Sequence, residues 1–105
     1  MNKRIPIPQT LQIGGYDYLV LCDAETDKTL ALQNAVGTED EHPPAICLCS
    51  TLCEQEFSNV FIHEILHAVG RMYYNNGLDE GLVVQVANGL HQVFEEMGVR
   101  FVRSE

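Results

Sequence analysis

Apolar residues recur along the second half of the chain at the three-and-four spacing of a helix face, and along the first half in short runs that suit strands. Thr10 to Ile13 ("TLQI"), the turn Gly14-Gly15 and Tyr16 to Cys22 ("YDYLVLC") predict a hairpin from their β-branched and aromatic content. The next stretch, "DAETDKTLALQNAVGTEDEH", is open between a short strand around Gln33 to Gly37 and a helical turn at Thr29 to Ala35, a choice left to tertiary context. After the turn-rich "TEDEHPP", the run "AICLCS" reads as a strand whose entry Pro43 and Pro44 force to be extended. Thr51 followed by Glu54 makes a capping box, so a helix is expected from there to about Met72. "YYNNG" breaks it, with Gly77 suited to a left-handed turn, and Asp79 is a good N-cap for a second helix. Leu82, Val83, Val86, Ala87, Leu90, Val93, Phe94 and Met97 carry that helix until Gly98, and "VRFVRSE" follows as a loose tail or a short added strand. Strands first and helices second predict an α+β domain: a small, mainly antiparallel sheet of about three strands, packed on one helix that a second, C-terminal helix follows.

Composition narrows the class. A chain of 105 residues suits a single domain, 1–105, with one modest core, and 46% apolar with 20% charged residues argues for a folded protein. The net charge of -9 and the scatter of Lys3, Arg4, Lys28, Arg71, Arg100 and Arg103 argue against a nucleic-acid surface. Pro6 and Pro8 interrupt the N-terminus before any apolar signal run can form, and no stretch is long enough to cross a bilayer, so neither membrane nor export is expected and the location is read as cytoplasmic. In a reducing compartment Cys22, Cys47, Cys49 and Cys53 read as buried free thiols. A cysteine zinc knuckle is disfavoured because "CLCSTLC" lacks a second CxxC pair.

Candidate chemistry lies in "VFIHEILHAVG", Val60 to Gly70, where two histidines and a glutamate interrupt an otherwise apolar helix. Buried imidazoles and a buried charge need partners. His63 and His67 stand one turn apart on one face, where two ring nitrogens can converge on a single cation. Glu64, displaced around the helix, is poorly placed to share that cation but can reach the water the metal activates. This is the division of labour in HExxH: two ligands and a general base. The competing reading is a core helix whose histidines are satisfied by backbone groups or by Glu64.

A catalytic zinc site needs a third protein ligand. Of His42, His91, Asp79, Glu80, Glu95, Glu96 and the cysteines, Glu80 is best placed, in the first turn of a helix that can fold back after a short break. It shares a face with Val83, Ala87 and Leu90, so it is expected to point toward the core, where a lone carboxylate would be costly. Its competing role is to offset the helix dipole. His91 lies eleven residues further on, roughly 16 Å away along the helix axis, too far to share one ion, and Asp79 is better used as the cap.

"HEILH", a short break and "ExxVxxVA" together resemble the gluzincin arrangement, in which a downstream helix supplies a glutamate ligand. From about Ala45 to Phe94 the chain is similar to minigluzincins and to small phage and bacterial proteins related to ImmA/IrrE-type metallopeptidases. The resemblance implies a zincin-like fold, Zn2+ held by His63, His67 and Glu80, Glu64 as catalytic base, and "AICLCS" as an edge strand that binds an extended peptide. The implied activity is zinc-dependent hydrolysis of peptide bonds in a peptide or protein substrate. It also raises a latent form, in which the tail from Val99 to Glu105 fills the cleft. The alternatives are an inactive zincin-fold binding module and a metal-free helix-pair interaction protein.

Overall fold

A computed structural model describes residues 3–75 and 77–104. In chain order these form β1 (Lys3–Pro6), β2 (Thr10–Ile13), β3 (Tyr16–Leu21), α1 (Ala24–Leu32), β4 (Gly37–Glu41), β5 (Pro44–Leu48), α2 (Glu54–Tyr73), α3 (Glu80–Glu96) and β6 (Val99–Val102). The α+β class holds, with three helices where two were expected and two small sheets in place of one.

The larger sheet has the order β2-β3-β5-β4. Gly14 and Gly15, both at positive φ, close the β2-β3 hairpin with Ile13 opposite Tyr16. β3 and β5 run parallel, Leu19 beside Ala45 and Leu21 beside Cys47, and α1 lies on the crossover between them. β4 returns antiparallel on the outer side of β5, Gly37 opposite Leu48 and Glu41 opposite Pro44. The expectation that "AICLCS" forms the edge is therefore corrected: β5 is paired on both sides, and the edge strands of this sheet are β2 and, on the α2 side of β5, β4. The acidic run read as a turn is that strand.

Alternation in β3 and β5 sends Tyr18, Val20, Ile46 and Leu48 to one face, where they meet Phe57, Phe61 and Ala68 of α2 in the buried core. Leu30 of α1 is buried beside Leu21 and Cys47 on the opposite face. Asp23 caps α1, accepting from the Thr26 amide at 2.7 Å, and Asp27 accepts from the Ser50 amide at 2.8 Å, which fastens the start of the α2 segment to α1. The Thr51-Glu54 capping box does not form. Helix α2 begins at Glu54 with Cys53 as N-cap and no side-chain cap, because partly buried Leu52 packs on the core and Thr51 Oγ1 lies 3.2 Å from Cys49 Sγ.

The second sheet pairs β1 with β6 in parallel, Ile5 beside Phe101. Phe101 stacks between Phe61 and Phe94, ring centroids 5.3 and 5.9 Å away, and its amide donates to the buried Ser58 hydroxyl at 3.0 Å. The C-terminal segment is thus the added strand rather than a loose tail; Glu105 lies outside the described residues. The four cysteines carry free thiols, half-buried at 22, 47 and 49 and exposed at 53. Among the described residues no helix is long and apolar enough to cross a membrane.

Candidate metal centre

Helix α2 runs under the sheet and turns His63 and His67 to the same side, their rings 4.9 Å apart. Asp79 then starts α3, its side chain accepting from the Leu82 amide at 3.0 Å, so that Glu80 is the first helical residue. What folds α3 back is a close approach. Leu78 sits on Gly70 of α2, where an added methyl group would lie 2.7 Å from Leu78 Cγ. Val83 and Ala87 of α3 are buried.

The three side chains meet. Glu80 Oε1 is 2.7 Å from His63 Nε2 and 3.2 Å from His67 Nε2, and the two ring nitrogens are 3.2 Å apart. Glu80 does not point into the core as its helix face suggested. Its side chain is 63% exposed, while the imidazoles are about one-quarter exposed, so the site opens to solvent above a floor of helix.

The donor set can be tested against a cation. Tetrahedral zinc with bonds of about 2.0–2.1 Å separates its ligand atoms by roughly 3.3–3.4 Å, close to two of the three distances here. Each neutral imidazole carries one lone pair on a ring nitrogen, so Nε2 of His63, Nε2 of His67 and Oε1 of Glu80 can serve together as three donors to one cation. The residues fit a zinc ion. His42 is exposed in the β4-β5 turn with Glu41 3.8 Å away, His91 stands apart on α3, and Asp79 serves as the cap; none joins the cluster.

Glu64 is 6% exposed. Burial, then the charges of Glu80, Glu39 and Asp40, push its carboxyl up to about 8. Its neighbour is the first residue of the edge strand: a Cβ on Gly37 would lie 2.5 Å from Val60 Cγ1 and 3.1 Å from Glu64 Oε2. Only glycine lets β4 run this close to the carboxyl. A cleft of about 330 Å³ opens beside it, lined by Asn34, Val36, Val60, His63, Glu64 and Asn88. Asn59 donates to Asn88 across its far wall at 2.9 Å, tying α2 to α3. A larger hollow of about 470 Å³ between Ile7–Thr10 and Leu19–Asp23 contains neither histidine nor glutamate, so volume alone does not locate the chemistry. The described part of the tail does not fill the cleft: Val99 to Val102 are paired in β6, and among the described residues none beyond Asn88 borders the opening.

The sequence reading missed what anchors β4. Glu39, its side chain 6% exposed, forms an ion pair with Arg71 of α2 and accepts from the fully buried Tyr18 hydroxyl at 3.0 Å. Burial first, and Glu39 second, push the Tyr18 phenol up to about 12. Arg71 stands one turn beyond His67 on the same helix side, so the edge strand and the histidines are referenced to one element. The only signal is an arginine four residues after HExxH, which is silent about its partner. Arg71→Met should leave a buried carboxylate unpaired and lower stability by about 2–3 kcal/mol, toward the low end for a broken buried pair because Arg71 keeps partial exposure. Adding Glu39→Gln should restore most of the loss, and urea unfolding of the metal-free protein measures both.

No protein-family model, curated protein or solved structure matches this chain.

Proposed function

We propose that the chain is a zinc-dependent peptide hydrolase of zincin-like architecture. One observation carries the reading: two imidazole nitrogens and a carboxylate oxygen from consecutive helices lie within 3.2 Å of one another, with a buried carboxyl next to them on the same helix.

His63, His67 and Glu80 would hold the ion. Zinc supplies Lewis acidity toward a carbonyl oxygen and makes water more acidic. Glu64 takes the proton from the attacking water and delivers it to the leaving nitrogen, a task suited to a carboxyl whose burial makes it a stronger base than one on the surface. Gly37 holds the edge strand beside that carboxyl. Strand β4 pairs only with β5, so its outer N–H and C=O groups are free to take an extended peptide as one more strand, placing a peptide bond next to Glu64.

Charge favours one kind of peptide. Glu39, Asp40, Glu41, Glu64 and Glu80 surround the site, and the nearby cation, Arg71, is already engaged by Glu39. Four of the six Lys and Arg residues, Lys3, Arg4, Arg100 and Arg103, lie in or next to the β1-β6 sheet instead. Neutral and basic segments are therefore the expected substrates.

Elemental analysis of protein purified without chelator should find one zinc per chain, and a mixed peptide library should be cut in a chelator-sensitive way. Protein that takes up no divalent metal would refute the proposal. Metal without cleavage would reduce it to a binding module.

A further inference from the structure

Helix α3 has a second apolar face besides the one it buries. Leu82, Val86, Leu90, Val93 and Met97 are between 36% and 67% exposed. At 100° per residue they fall within roughly 40° of one line down the helix, with no polar residue among them. Gly89 lies on the border of this stripe, and nothing stands within 4 Å of where its Cβ would be. A monomer seldom leaves a continuous apolar strip along a whole helix in water.

We propose that this face is the site at which two copies of the chain associate, α3 against α3, antiparallel about a two-fold axis between Gly89 and Leu90. The spacing of the stripe selects that arrangement, because it reads the same from either end. Leu82, Val86 and Gly89 step inward from the N-terminal side by four and three residues, and Met97, Val93 and Leu90 step inward from the C-terminal side by the same intervals. Antiparallel pairing therefore sets Leu82 on Met97 of the second copy and Val86 on its Val93. Leu90 fills the space above its Gly89, where the missing side chain admits a close helix crossing.

Charge points to a second copy over other occupants. Helix α3 has no Lys or Arg, and its acids, Glu80, Glu95 and Glu96, lie at its two ends. Two chains of net charge -9 meet here with the least repulsion, through a middle bordered by Gln85 and Gln92. Glu96 of one copy comes beside the neutral Gln85 of the other. An anionic membrane finds no basic border to hold it. One helix per copy is a small interface, so dissociation on the order of micromolar is expected.

Sedimentation of the full chain across the micromolar range tests this. The parent should pass from monomer to dimer as concentration rises, and Val93→Glu and Val86→Lys should each weaken association at least about thirty-fold, with circular dichroism unchanged. The double variant Val86→Lys/Val93→Glu should dimerise again, because antiparallel pairing sets each introduced lysine against an introduced glutamate. A parent that stays monomeric throughout, single variants that dimerise like the parent, or a double variant that remains monomeric would each overturn the proposal.

Discussion

Glu64→Gln is expected to leave zinc content unchanged and to lower kcat for peptide hydrolysis by about a hundred- to ten-thousand-fold, the usual contribution of a positioned general base. Glutamine keeps the shape of the side chain that fits between Val60 and Gly37, so β4 should stay in place. It cannot accept the proton of the attacking water. Nor is the metal-free fold expected to weaken, since the buried carboxyl already lies near the charges of Glu80, Glu39 and Asp40, and a neutral amide relieves that opposition. Single-turnover assays with the preferred library peptide, together with metal analysis, check both halves. Cleavage at the parent rate would remove Glu64 from the mechanism, whatever the metal content.

His67→Ala should act on the ion itself. Structural zinc sites with four ligands reach apparent binding energies of about 10–16 kcal/mol, so each ligand accounts for roughly 2.5–4 kcal/mol and its loss should weaken affinity by about fifty- to a thousand-fold. Metal binding and stability are linked, because the helix that presents His63 and His67 also buries Phe57, Phe61 and Ala68. Zinc should therefore raise the melting temperature of the parent and leave that of His67→Ala nearly unchanged at the same concentration. Competition against a chromogenic chelator gives the affinities directly. Equal affinity in parent and variant would place the ion elsewhere.

The parts of this arrangement that were legible in the sequence are the local ones. His63 and His67 face one way because of an i, i+4 spacing inside one helix, and Asp79 announces α3 through its own side chain. The hairpin at Gly14-Gly15 is equally local. Strand β4 was not legible: Glu39 and Asp40 have poor strand propensity, and what holds them there is Arg71, thirty-two residues from Glu39, together with Tyr18. Misplacing β4 made β5 look like the edge. β1 and β6 come from opposite ends of the chain, so no local pattern could pair them. Glu80 was placed beside the histidines for a partly mistaken reason: it shares a helix side with Val83 and Ala87, yet its carboxylate reaches the imidazoles across the solvent side of the α2-α3 pair.

An unpaired sheet edge carries a hazard as well as a use, since any chain with a similar edge can add to it and begin a fibre. Consecutive carboxylates at Asp40 and Glu41 oppose the same residues arriving on another molecule. The strand that would welcome a cationic guest is thereby closed to its own kind, and edge-to-edge growth into fibrils is held off by like charge.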